Sequence, residues 1–154
     1  MLRSAGRCSP VPESKHPPIP YRRHGGPDQP KRPWLEVYIG GLPIRYYGLV
    51  DSGSDYSVIP HALARRIGVV FDDSKKPEAG EAAGGQEFEY WEASNQLPIQ
   101  TEVGGLTFDE AMVADEDDFI LGRHDFFRRY RVTFNERAQE MEIEPFDPLD
   151  GRQN

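Results

Sequence analysis

The chain has 154 residues, of which 37% are hydrophobic and 29% charged, with 15 glycines and 14 prolines. This length and composition are typical of one loop-rich globular domain with a single modest core. The net charge of −8 argues against nucleic acid as the main partner, because phosphate binding needs an excess of lysine and arginine. The single cysteine excludes an internal disulfide, and no apolar run is long enough to span a membrane.

The N-terminal stretch is basic and rich in proline. It has no apolar segment after its basic residues, so the sequence shows no signal peptide and we expect a cytoplasmic protein without membrane partners. Residues 1–32 hold too few aliphatic side chains to offset the entropy cost of ordering. We expect a disordered leader over 1–32, with a removable pro-segment or a partner-docking arm as alternatives.

Strand-like patterns begin directly after this leader. Residues 34–39 alternate between apolar and polar side chains, and the glycine pair at 40–41 predicts a hairpin turn. Residues 42–50 then return as a second strand. Residues 60–67 predict a short helix, because Pro60 suits a first turn and the following glycine suits a C-terminal cap.

The rest of the chain alternates between loops and short strands. Residues 72–86 are polar and glycine-rich, which predicts a loop. Further predicted elements are strands at 88–91, 97–103 and 106–113 with a glycine turn at 104–105, a buried strand at 119–121, a short helix at 124–130 and a closing hairpin of 131–134 with 140–144. Many short strands with two short helices predict a mainly-β, all-β-class domain over 33–146, built as a small closed barrel or folded sheet, with a flexible tail at 147–154.

One turn has a chemical signature. Strand-forming residues at 46–50 deliver Asp51 to the end of a predicted buried strand, where a tight turn begins. A carboxylate in such a place costs free energy unless it is paired or used. Asp51 is therefore the first functional candidate, and the simpler interpretation is that it caps the turn.

Together with a later stretch, this turn resembles the retropepsin-like aspartic proteases, the single-domain relatives of pepsin. The first half of the resemblance is Leu49–Asp55, which reads Leu-Val-Asp-Ser-Gly-Ser-Asp. The second half is Phe119–Tyr130, an apolar run that ends in glycine and leads into a short helix. The resemblance extends from about Trp34 to Phe146. It implies an aspartic endopeptidase with an acid-protease half-fold, a polypeptide substrate, and no cofactor or metal.

The resemblance also implies a homodimer. Aspartic-protease chemistry needs two carboxylates that face one water, one to take its proton and one to donate to the peptide carbonyl. The chain has a single Asp-Ser/Thr-Gly, at Asp51, so the second carboxylate must come from a second copy. Two carboxylates about 4 Å apart repel by roughly 4 kcal/mol at an effective dielectric near 20. Such a pair shares one proton in mildly acidic solution, as aspartic proteases in general do.

The resemblance assigns Asp51, Ser52 and Gly53 to the catalytic group. In this assignment Ser52 forms hydrogen bonds that hold the two loops of the dimer together. Gly53 lets the main chain approach the substrate closely.

Three further substrate-binding residues, Asp55, Gly84 and Gly85, and two structural supports, Gly122 and Arg123, follow from the same resemblance. Asp55 would contact the substrate main chain and form a partly buried ion pair with Arg123, which follows the structural Gly122. Gly84 and Gly85 would bind substrate from a flap loop near 80–85 that closes over it.

Other interpretations remain open beside this one. The fold can be kept as a catalytically weak or inactive peptide-binding or dimerisation module, because fold does not fix function. The turn also resembles a calcium loop, but Tyr56 and Ala62 occupy the positions where an EF-hand needs glycine and glutamate. The acidic run at 115–118 is more typical of a solvated turn than of a divalent-cation site.

Overall fold

The computed structural model describes residues 16–39, 45–82 and 84–146, which form a mainly-β domain with two short helices. Strands make up 45% and helices 11% of the described residues, which confirms the mainly-β prediction. The predictions for 1–15, for the turn at 40–41 and for the tail at 147–154 lie outside the described residues. No helix of the described part of the chain could cross a bilayer.

The described elements are twelve strands, one α-helix and one π-helix. In chain order they are β1 Ile19–Pro20, β2 Trp34–Tyr38, β3 Arg45–Val50, β4 Val58–Pro60, α1 His61–Ile67, β5 Glu78–Glu81, β6 Glu87–Glu92, β7 Leu97–Thr101, β8 Gly104–Phe108, β9 Met112–Ala114, β10 Phe119–Leu121, the π-helix Arg123–Phe127, β11 Tyr130–Asn135 and β12 Glu140–Pro145. They build a nine-stranded sheet of order β5-β6-β9-β4-β10-β3-β2-β7-β8 and a three-stranded sheet of order β1-β12-β11.

The predicted closed barrel is wrong. A barrel gives every strand two partners, whereas β5 and β8 are the edges of the nine-stranded sheet and do not pair with each other. The closing hairpin was predicted correctly as a hairpin, but β12 pairs with β1 on its other side. These strands form a sheet of their own and are not available to close the larger one.

Part of the predicted leader packs against the domain. Ile19–Pro20 pair antiparallel with β12, and Tyr21 N donates a hydrogen bond to Gln139 O at 2.7 Å. The side chains of Ile19 and Tyr21 are buried in the core. For these residues the structure differs from the expected disorder, because two apolar side chains and a strand partner offset the cost of ordering.

Arg22 joins this segment to the nine-stranded sheet. Its guanidinium binds the Glu102 carboxylate at 2.5 and 2.9 Å and donates to Trp34 O at 3.1 Å. Glu102 also accepts a hydrogen bond from Glu36 N at 3.0 Å. Burial acts to raise the pKa of Glu102, but the hydrogen bonds from Arg22 and Glu36 N outweigh it, so the pKa lies below its ordinary value.

Two loop predictions need correction. The stretch at 72–86 contains a strand, β5, whose pairing with β6 makes a hairpin out of the predicted loop. The turn predicted at 104–105 lies instead at 102–103, and both glycines belong to β8. A register set by the alternating burial of β7 and β8 places the turn there.

The helix and the central buried strand follow the sequence pattern. α1 ends at Ile67 and is capped by Gly68, which has φ 84° and donates its N–H to Ala64 O. Phe119 and Leu121 are buried, as predicted for a short apolar strand. β10 lies between β3 and β4 near the middle of the nine-stranded sheet, and this position creates the site described next.

Candidate functional site

The site turn, residues 51–57, connects β3 to β4 around the end of β10. β10 pairs parallel with β3 and antiparallel with β4. Because β10 lies between these strands, the residues that follow it come directly against the turn. The fold thus brings together the two stretches that carry the sequence resemblance.

Apart from the long side-chain contact between Arg123 and Asp55, four hydrogen bonds hold the site turn to residues 121–124. They are Asp51 N to Leu121 O at 3.1 Å, Arg123 N to Ser54 O at 2.8 Å, His124 N to Asp55 O at 2.8 Å, and Gly122 N to the Ser57 hydroxyl oxygen at 3.1 Å. Three of the four join main-chain groups only. The position of the turn is therefore set mainly by the backbone of both segments.

Gly122 is the point of closest approach between the two segments. A Cβ atom there would lie 2.3 Å from the carbonyl carbon and oxygen of Tyr56, so only glycine fits. The hydroxyl that accepts from Gly122 belongs to Ser57, which is fully buried. Sequence reasoning missed Ser57, whose signal is slight: one small polar residue at the start of an apolar strand.

Asp51 lies half-buried at the end of β3. Its Oδ1 accepts a hydrogen bond from Gly53 N at 2.9 Å, which orients the carboxylate. No other group of the described residues forms a hydrogen bond with this carboxylate, and Ser52 and Gly53 are exposed. This geometry agrees with the turn-capping interpretation and also leaves Oδ2 available to a water or substrate.

The ion pair of Asp55 and Arg123 forms, but the expectation that it is partly buried is wrong. Arg123 Nη1 lies 3.5 Å from Asp55 Oδ1, and the side chain of Asp55 is 79% exposed and that of Arg123 63%. Arg123 contacts the turn through its main-chain N–H, while both charged groups extend into solvent. An ion pair of this kind contributes little to stability.

Gly84 and Gly85 lie at the tip of the β5–β6 hairpin with φ 99° and 80°, values that favour glycine. The tip closes on itself through Ala82 N to Gln86 O at 2.8 Å and Gly85 N to Ala82 O at 3.0 Å. Within the described residues, no hydrogen bond joins this tip to another element.

The base of the same hairpin is fixed to the domain. Residues 90–92 of β6 pair with β9, and Trp91 Nε1 donates to Lys75 O at 3.0 Å. The Tyr90 hydroxyl donates to Glu78 at 2.8 Å, and this hydrogen bond, with burial, raises the pKa of Tyr90. The hairpin is therefore anchored at its base, and the hydrogen bonds of its described tip residues lie within the hairpin itself.

The π-helix carries a buried carboxylate, Asp125. Asp125 is 6% exposed, and its Oδ1 accepts a hydrogen bond from Asp109 N at 3.1 Å. Its Oδ2 has no partner within the described residues. Asp125 thus connects the π-helix to the turn after β8.

Two open cavities flank the π-helix, with volumes of about 470 and 610 Å³. The smaller one adjoins the site turn at Asp55, and the larger one lies beside Asp109 and Asp125. Asp51 lines neither of them.

A family model described as aspartyl protease matches residues 35–124. The match covers more than half of the chain and contains the site turn, the β5–β6 hairpin and β10. It ends at His124, the last residue that is hydrogen-bonded to the turn. A comparison with curated proteins gave no match.

Proposed function

Because the chain belongs to the retropepsin-like aspartyl protease family, we propose that it is an aspartic endopeptidase whose active site is completed by a second copy. The observation that carries this proposal is the site turn itself. It presents one Asp-Ser-Gly sequence, held by four hydrogen bonds to the second half of the family signature. In the proposed homodimer each copy supplies one Asp51.

The proposed chemistry uses the two Asp51 carboxylates and one water between them. One carboxylate accepts the proton of the water as it attacks the peptide carbonyl, and the other, protonated, donates to the carbonyl oxygen. Errors of about 1 Å in such geometry can cost on the order of 100-fold in rate. The hydrogen bond from Gly53 N and the backbone contacts to residues 121–124 supply that precision.

The residues beside Asp51 are arranged to meet an extended peptide. Gly53 is exposed and has no side chain, so a substrate backbone can approach the turn closely. Asp55 is exposed and can accept a hydrogen bond from a peptide N–H. Ser52 is exposed at the point where a second copy would face the first.

The β5–β6 hairpin is the proposed flap. Its base is paired with β9, and among the described residues no hydrogen bond joins its tip to another element, as expected of an element that opens and closes. Gly84 and Gly85 place main-chain groups at the tip, where they can contact the peptide.

A cleavage assay on a diverse peptide library, read by mass spectrometry from about pH 4 to pH 7, tests the chemistry. We expect cuts by the wild type and none by Asp51→Asn, with fold and oligomeric state unchanged. Asp117→Asn, which removes the same charge from an exposed turn, is the matched control and should cleave like the wild type. Cleavage by Asp51→Asn would contradict the proposal.

Mixing tests the two-copy site. If wild type and Asp51→Asn exchange subunits freely at a 1:3 ratio, active dimers fall to about 6% of the total, whereas an active site within one chain would retain about 25%. A linear loss would exclude the shared site. A folded, dimeric wild type that cuts no peptide would favour the peptide-binding module instead.

A further inference from the structure

This acidic chain carries a basic patch next to its site turn. Its net charge is −8, yet residues 123–131 contain four arginines and one aspartate. That aspartate, Asp125, is buried and accepts a hydrogen bond from Asp109 N, so it does not balance the exposed arginines. We define the basic patch as Arg123, His124, Arg128 and Arg129.

The basic patch borders the smaller cavity, which begins at the site turn. The six residues that line this cavity are Asp55, Tyr56, Arg123, His124, Phe127 and Arg128. His124 and Arg128 also line the larger cavity, so the two depressions share this wall. A peptide that leaves the site turn along this side would meet Arg128.

The charges around the smaller cavity leave one arginine without a partner. Arg123 faces Asp55 at 3.5 Å, and His124 lies 3.6 Å from Glu110. The side chain of Arg128 forms no ion pair or hydrogen bond with any described residue. Its guanidinium is therefore available to a ligand.

We infer that the smaller cavity binds an acidic side chain of the peptide substrate and that Arg128 selects it. An arginine binds a carboxylate through two parallel hydrogen bonds. The rings of Tyr56 and Phe127 line the same cavity and can cover the methylene groups of a glutamate. This inference names the substrate class of the proposed protease site and rests on that proposed function.

Negative charges of the protein, Asp55 above all, determine where the acidic side chain of the substrate can bind. The Asp55 carboxylate repels a second carboxylate near Arg123, which places the substrate group at Arg128 and leaves Asp55 for a peptide N–H. The remaining negative charge of the chain repels the substrate carboxylate at Arg128 only weakly, since charges at the surface are screened over about 8 Å at physiological salt.

The test compares pairs of cleaved peptides that differ only by Glu or Gln at one position. We expect one position away from the scissile bond where the Glu peptide has a kcat/KM about 10-fold higher in the wild type. Arg128→Gln should bring this ratio close to 1, and Arg128→Glu should reverse it. Arg66→Gln, which removes an exposed and unpaired arginine on α1, is the matched control and should keep the wild-type ratio.

A binding measurement separates this inference from the proposed protease function. Fluorescence anisotropy with the Asp51→Asn protein and labelled Glu and Gln peptides reports selection without turnover. Cleavage without a Glu preference, or a preference that survives Arg128→Gln, overturns the inference and leaves the protease. Arg128-dependent binding of Glu peptides without cleavage overturns the protease and supports the inference. A folded protein that shows neither cleavage nor Arg128-dependent binding overturns both the protease proposal and the inference.

Discussion

Two segments are attached to the sheets across long sequence separations, and partly different groups hold them. The site turn is held mainly by main-chain hydrogen bonds to residues 121–124. The N-terminal segment, residues 16–24, pairs with β12 through its main chain and is also held by side chains that titrate: Tyr21 binds Glu136 at 2.8 Å, and Arg22 binds Glu102.

This difference determines which of the two segments responds to pH and salt. Main-chain groups do not titrate, so the site turn keeps its contacts over a wide pH range and depends on sequence only where the fit is tight. Carboxylate contacts titrate and are screened by salt. We therefore expect the site turn to fail through a few steric or buried changes, and the N-terminal segment to loosen with pH.

Gly122→Ala should have the largest effect, because its Cβ would lie 2.3 Å from backbone atoms that cannot move aside. We expect a loss of about 3 kcal/mol in the free energy of unfolding and loss of cleavage. Urea unfolding and the peptide assay measure both. Gly105→Ala is the control, because its nearest neighbour at 3.1 Å is the flexible end of Gln100. Equal losses in the two variants would contradict the role given to Gly122.

Ser57→Ala should cost less, about 2 kcal/mol, because the Gly122 N–H would be buried without an acceptor. We expect kcat to fall as the site turn loses one of its four contacts. Ser57→Thr keeps the hydroxyl and should recover part of the loss if space allows the extra methyl. If Ser57→Ala is as stable as the wild type, a water replaces the serine hydroxyl as the acceptor for Gly122 N–H.

The site turn was predictable because its information is local. Asp51, Ser52 and Gly53 follow a strand-forming run, and Gly122 follows another, so the motif residues could be named from sequence. Their contact depends on the position of β10 between β3 and β4, which no local sequence pattern shows. Ser57 was missed because burial, and not residue type, gives it a role.

The N-terminal segment and the sheet edges were not predictable in the same way. Composition correctly described residues 1–32 as poor in apolar groups, but Ile19 and Tyr21 are enough once β12 offers a strand partner. The prediction of a closed barrel was wrong for a related reason, because strand pairing joins residues that are far apart in the sequence. No local pattern says that β12 pairs with β1 and leaves β5 and β8 as edges.

Glu102→Gln tests the titrating attachment. The folded-state pKa of Glu102 lies below its unfolded value of 4.5. Its contribution is therefore fully present above that value and is lost as the pH falls through the folded pKa. We expect Glu102→Gln to be less stable than wild type by about 1 kcal/mol at pH 7, after allowance for solvent screening.

Urea unfolding of both proteins from about pH 7 to pH 3 should show this difference shrink towards zero at the acidic end. Glu87→Gln, an exposed glutamate at the start of β6, should match wild type throughout. A difference between wild type and Glu102→Gln that does not vary with pH would mean that the amide disturbs packing and that the charge contributes nothing.

Arg123→Gln should have the smallest effect, although Arg123 belongs to residues 121–124, which are hydrogen-bonded to the site turn. The variant keeps the main-chain N–H that binds Ser54 O and loses only an exposed ion pair with Asp55. We expect a change below about 0.5 kcal/mol in the free energy of unfolding. Urea unfolding at low and high protein concentration measures it. A loss above about 1 kcal/mol only at high concentration would show that a second copy buries the pair, because solvent no longer screens it there.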